Sequence, residues 1–162
     1  MRSNDDIELM IEKFGDTVWR VCVLYFRQNT DAQDAFQETI LKYALSSTVF
    51  NGDEHLKAWL IRVATNTCKD MLKAAERKNI SLDSDQQSPS PQAALAQDDQ
   101  NQGLQDVLDA IQGLDDPPRT PVYLALYEGY SAKEIAALLD APVNTVYSWI
   151  SRGRQQLKEV LR

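Results

Sequence analysis

Apolar residues recur near the start of the chain at Ile7, Ile11, Phe14, Val18, Val21 and Tyr25, in steps of three and four. Such steps place side chains on one face of an α-helix, so a long amphipathic helix is predicted, with Gly15 as the point where it could break. A second helix is predicted to start after Thr30 or Asp31, either of which can accept the backbone N–H groups that a helix start leaves unpaired. Ala32, Ala35, Phe36, Ile40 and Tyr43 would face inward from it, with Asp34, Gln37, Glu38 and Lys42 outward. A polar loop from Ser46 to Asp53, with Asn51-Gly52 as turn residues, leads to a third helix. Its inward stripe is Leu56, Leu60, Val63, Ala64, Thr67 and Met71, opposite Lys57, Arg62, Asn66, Lys69 and Lys73. No stretch alternates with the period of two that marks a half-buried strand, so the expected fold class is all-α.

The pattern then lapses. Ser81 to Gln102 is built from Ser, Pro, Gln, Asp and Ala with scarcely a large apolar side chain, too little to repay the entropy of ordering. A flexible acidic linker over 81–102 is expected, joining two small helical domains over 1–80 and 103–162. Periodicity resumes at Leu104, Val107, Leu108 and Ile111, stops from Gly113 to Pro118, and returns at Val122, Leu124, Ala125 and Leu126.

From Tyr130 to Leu157 the pattern is that of a helix-turn-helix. Ser131 and Glu134 have the S-x-x-E spacing of a capping box, ahead of an inward stripe of Ile135, Ala136, Leu138 and Leu139. Ala136 is small, as a close helix crossing requires. Asp140-Ala141-Pro142 ends this helix, because proline cannot continue the hydrogen-bond ladder, and Asn144 or Thr145 can cap the next. Val146, Ile150, Gly153 and Leu157 form the second buried stripe, which leaves Thr145, Tyr147, Ser148, Ser151, Arg152, Arg154 and Lys158 outward. A recognition helix in the major groove has this make-up: its first turns read base edges and its later cations hold phosphates. A helical hairpin that packs on another protein has the same pattern, and Trp149 can border either a core or a groove. The third helix offers cations and Asn66, with Phe50 in the loop before it, a combination suited to stacking and pairing with a single strand but equally to a solvated face.

Composition narrows the classes. The longest apolar run, Val21 to Phe26, is far below the roughly 18 to 20 residues of a membrane span. The opening, polar at Asn4 and acidic at Asp5, Asp6 and Glu8, is unlike a secretory signal, so a cytoplasmic protein is expected. Cys22 and Cys68 lie in apolar helical patterns and read as buried free thiols, while a single histidine, His55, leaves too few ligands for a zinc site. No metal, cofactor or small-molecule substrate is expected. One histidine, no glycine-rich phosphate loop and no paired carboxylates leave little from which to build an enzyme site. The net charge of -7 argues against tight DNA binding by the free chain. Its distribution is uneven: residues 81–119 hold one basic and eight acidic residues, whereas 50–80 hold six against four and 120–162 five against four. Two weakly basic segments around an acidic one fit a protein that touches DNA at two places and depends on a larger partner.

Three segments in order, DAQDAFQETILKYAL, HLKAWLIRVATNTCKDMLKAAERK and YSAKEIAALLDAPVNTVYSWISRGRQQLKEVL, resemble regions 2 and 4 of the extracytoplasmic-function sigma factors of bacterial RNA polymerase. The resemblance covers nearly the whole chain. It implies a transcription initiation factor with no catalysis of its own, which binds core polymerase through the clamp coiled coil of the largest subunit and through the flap. It implies that Asp34, Gln37 and Glu38 dock on that coiled coil. Arg62, Asn66, Lys69 and Lys73 would meet the -10 element, with Phe50 in a Ser46 to His55 loop that captures a flipped base. Thr145, Tyr147, Ser148, Ser151, Arg152, Arg154 and Lys158 would meet the -35 duplex. Many relatives carry a basic residue where this chain has Tyr147 or Trp149, a departure within the -35 contacts. The linker would enter the RNA path of the polymerase, and a cognate anti-sigma factor would sequester the protein. An autonomous helix-turn-helix regulator with a sensing or dimerising N-terminal domain is the competing reading, and tight operator binding by the free chain would favour it.

Overall fold

The computed structural model describes residues 1–26, 29–78, 106, 108–111, 113–114 and 118–161, which fall in two compact units, one within Met1–Leu95 and one within Ala96–Arg162. Among the described residues there are helices, turns and loops and no strand, as the apolar periods predict. The linker expected over 81–102, and Leu104 and Val107 beyond it, lie outside the described residues.

The first unit packs three helices against one another, each touching the other two: α1 (Asn4–Tyr25), α2 (Asn29–Leu45) and α3 (Asp53–Lys78). Ser3 starts α1 by accepting the Asp6 N–H on its hydroxyl at 3.1 Å, and Asp5 and Asp6 place negative charge at the positive end of the helix dipole. The helix runs unbroken through Gly15. Its buried face holds Met10, Val18, Val21, Cys22, Leu24 and Tyr25, whereas Ile11, expected inside, is 39% exposed. A helix flanked by two neighbours buries a wider arc than one stripe, which brings Met10 and Cys22 inside and turns the stripe away from Ile11.

α2 begins at Asn29, so Thr30 and Asp31 sit in its first turn rather than ahead of it. Partial burial, and then the charge of Asp34, raise the Asp31 carboxyl above its ordinary pKa. Ala32, Ala35, Thr39 and Tyr43 are buried, and Thr39 donates its hydroxyl proton to the Ala35 carbonyl at 2.8 Å, which makes burial of a polar side chain tolerable. Lys42, expected outward, is half-buried and donates to Thr67 Oγ1 on α3 at 2.9 Å. α3 buries Leu60, Ala64 and Thr67 as predicted, and also Ile61, Thr65 and Cys68. Cys22 and Cys68 are free, buried thiols that meet between α1 and α3.

In the second unit α4 (Arg119–Val122) continues into a π-helical turn, Tyr123–Tyr127, widened where the Glu128 N–H reaches the Tyr123 carbonyl at 3.2 Å. α5 (Ala132–Leu139) and α6 (Val143–Leu161) follow. Ile111, Leu114, Val122, Tyr123, Leu124, Ile135, Leu138, Val146 and Leu157 form the core, while Leu126 is 43% exposed.

Candidate nucleic-acid interface

The helix-turn-helix is built from local hydrogen bonds that the sequence spells out. Ser131 Oγ accepts the Glu134 N–H at 3.1 Å, and the Glu134 carboxylate accepts the Ser131 N–H at 2.8 Å, so the capping box is complete. Asp140 ends α5 in the left-handed region at φ 58°, ψ 51°, and the Ala141 N–H returns to the Ala136 carbonyl at 3.0 Å. The start of α6 differs from expectation. Pro142, not Asn144 or Thr145, stands just before it, and its carbonyl accepts the N–H groups of Thr145 and Val146. The close approach is also displaced. Ala136 is only half-buried, whereas Gly153 on α6 lies so near α4 that a Cβ there would sit 2.1 Å from Val122 Cγ2.

With Val146, Gly153 and Leu157 pinned to the core, the opposite face of α6 is set. Tyr147, Ser148, Ser151, Arg152, Arg154 and Lys158 are exposed, Tyr147 at 59%, while Thr145 and Trp149 are half-buried. Tyr147, Ser148, Ser151, Arg152 and Gln155 line a wide, open recess. Gln155 was absent from the sequence reading, although its place one turn beyond Ser151 puts it on the same face.

The first unit presents two further faces. On α2, Asp34, Gln37 and Glu38 are exposed, and Leu41 and Leu45 continue the face at 49% and 62% exposure. Sequence reasoning missed these leucines. The signal was available, since both fall outside the inward stripe. On α3, Arg62, Asn66, Lys69 and Lys73 are all exposed, at steps of three and four, along about 16 Å of helix.

The loop between α2 and α3 is not a free strand of chain. Phe50 turns inward and is half-buried, its ring 5.1 Å from His55, 5.3 Å from Trp59 and 6.3 Å from Tyr43. Val49 points out instead, 82% exposed. Gly52 takes φ 138°, which side-chain-bearing residues rarely adopt, and His55 Nδ1 accepts the Asn51 N–H at 3.0 Å to close the turn. Lys13 and Asp53 form an exposed ion pair at 3.2 Å, of little energetic weight. Among the described residues no three His, Cys, Asp or Glu side chains come together as a metal site, and no helix is long and apolar enough to cross a membrane.

Residues 10–78 match the family model for sigma-70 region 2, and residues 104–157 that for sigma-70, region 4. The chain is 33% identical to the ECF RNA polymerase sigma-E factor of Escherichia coli strain K12 over 137 residues, 78% of this chain and 72% of that one. It is 29% identical to the RNA polymerase sigma-H factor of Pseudomonas aeruginosa, over 96% of this chain and 86% of the relative. In fold it is similar to the sigma factor RpoE from Bartonella quintana, solved with the anti-sigma factor NepR, with a TM-score of 0.70, 22% identity and 96% of each chain covered. It is likewise similar to CnrH, solved with the cytosolic domain of CnrY, with a TM-score of 0.64, 22% identity and coverage of 98% of this chain and 89% of CnrH.

Proposed function

The chain belongs to the sigma-70 family of RNA polymerase sigma factors, in its extracytoplasmic-function branch, and on that footing we propose how its residues divide the work. It is a transcription initiation factor that directs RNA polymerase to promoters. In the proposed division, the α2 face of Asp34, Gln37 and Glu38 docks on the clamp coiled coil of the polymerase, and Leu41 and Leu45 add apolar area beside the polar contacts. Arg62, Asn66, Lys69 and Lys73 on α3 hold the non-template strand at the -10 element. The Ser46 to His55 loop traps one extruded base, with Phe50 as the inner wall of the trap and Val49 at its lip. Extruding a base costs a few kcal/mol, and a protein that binds only the opened strand shifts the equilibrium toward melting without hydrolysing anything. No catalytic step is assigned to this chain. Tyr147, Ser148, Ser151 and Arg152 read the -35 duplex, with Thr145 at the start of that face, while Arg154 and Lys158 hold phosphates. The observation that carries this reading is the pairing, in one chain, of a mixed polar and apolar face on α2 with a basic recognition face on α6.

Reconstitution with sigma-free core polymerase on the protein's own promoter tests it directly. Specific initiation at a start site with conserved spacing to two upstream elements is expected, and an active core that stays silent with this chain rejects the proposal. An anti-sigma partner that covers the polymerase-facing surfaces is proposed as well, because the similarly folded sigma factor RpoE is held in a complex with the anti-sigma factor NepR.

A further inference from the structure

Arg2 is half-buried, and its backbone and side-chain contacts converge on the junction between α2 and the loop that follows it. Its backbone N–H donates to the Ala44 carbonyl at 3.0 Å. Its guanidinium donates from Nε to the Tyr43 carbonyl at 2.9 Å and from Nη2 to the Thr48 carbonyl at 2.6 Å. The same group lies over the Tyr43 ring, 4.4 Å from its centre, and 5.3 Å from that of Phe50. Tyr43 and Ala44 are in the last turn of α2, where carbonyls lack the usual partner within the helix and the dipole favours a cation; the Tyr43 carbonyl also accepts the Ser46 N–H at 3.1 Å. Thr48 is two residues from Phe50, and its N–H and hydroxyl are already bound to Ser46 Oγ, so the carbonyl held by Arg2 completes the anchoring of this loop segment.

We propose that Arg2 is a positioning residue for promoter recognition: it caps α2 and straps the Ser46 to His55 loop so that Val49 and Phe50 stand ready to receive the extruded base. The inference rests on the reading of that loop as the -10 base trap. A planar fork suits the task. Two N–H groups on one rigid plane reach two carbonyls while the face of that plane covers the aromatic rings, which a lysine ammonium cannot do at once. The strap also excludes the loop from following α2 outward, so a preformed pocket replaces one that each promoter would have to order.

The experiment uses the full chain with core polymerase and a promoter library randomised across the -10 element, scoring the base preference among initiated transcripts. That preference is independent of how much protein is active, so a loss of folded material alone does not move it. Arg2→Ala, Arg2→Lys, Val49→Ala and Phe50→Ala are compared with the unaltered chain, and affinity for core is measured alongside. Arg2→Ala is expected to flatten the preference at the trapped position by about tenfold, the scale of a lost charge-assisted bond, while core affinity stays within about twofold. Arg2→Lys is expected to restore part of it and serves where the alanine variant folds poorly. If the Val49 and Phe50 variants change the preference and both Arg2 variants keep it, the strap is refuted and the loop reading stands. If none of the four changes it, the loop reading itself fails and takes the strap with it.

Discussion

Cys22 shows how a single side chain reports on the packing around it. Its thiol hydrogen-bonds Cys68, is buried between α1 and α3, and feels the charge that Cys68 would carry, and all three effects push its pKa far above the ordinary 9.0. The folded state therefore retains a proton that the unfolded chain releases. This contribution to stability is complete below pH 9.0 and falls as the pH rises beyond it. Denaturant midpoints followed from neutral to alkaline pH should decline less steeply for Cys22→Ala than for the unaltered chain, although the variant starts lower because of the cavity. Equal slopes would show that the thiol does not titrate in this way. Phe50 gives the complementary lesson. Placed by sequence in a polar loop, it reads as an exposed platform, but Tyr43, His55 and Trp59 draw its ring inward because apolar area beside an aromatic cluster is more stable out of water.

At the level of helices, the crossing of α4 and α6 leaves no room for a side chain. Gly153 has no side chain, and the backbone of α6 comes close enough to α4 that even a methyl group would overlap Val122 and reach Pro118 at 3.4 Å. Val122 is fully buried, so it has little room to withdraw. Gly153→Ala should destabilise the second unit by about 1 to 3 kcal/mol despite the better helix propensity of alanine, and thermal unfolding measures it. An unchanged or raised midpoint would mean that the two helices separate freely. The consequence reaches function, because this crossing fixes the rotation of α6 about its axis and hence which residues face outward. Gly153 lies five residues from Ser148 and one from Arg152, so a shift at the crossing moves the proposed recognition face with it. Capping needs no such coupling: Ser131 and Glu134 complete their box within a single turn.

Across the entire chain, a net charge of -7 coexists with recognition surfaces that carry cations. Such a chain gains little from counterion release on its own, and in the proposed function the polymerase supplies the remaining contacts. In the proposed division the two surfaces serve different partners, so charge changes on them should separate. Glu38→Lys, which reverses charge in the middle of the α2 face, should weaken core binding by about tenfold or more while leaving -35 sequence preference intact. Arg152→Ala should cost about 1 to 3 kcal/mol of discrimination at one -35 position with little change in core affinity. Core binding measured by competition and promoter preference measured in reconstituted transcription distinguish the two. Equal loss of core affinity in both variants would refute the separation.

Much of this was readable from residue order, and the reason is local. A helix advances by a fixed angle per residue, so apolar spacing revealed α1, α2, α3, α5 and α6, and with them the outward placement of Glu38, Asn66, Ser148 and Arg152. Capping and turn residues act over three or four positions, so Ser131, Glu134 and Asp140 were equally legible. What periodicity does not carry is the identity of the neighbour. The burial of Met10 in place of Ile11, the half-burial of Lys42 against Thr67, the contact of Gly153 with Val122 and the grip of Arg2 on carbonyls 41 to 46 residues away each depend on a second element. Spacing within one helix says which face is apolar; only packing against other helices fixes how wide that face becomes, how near two backbones come, and which polar group ends beside which.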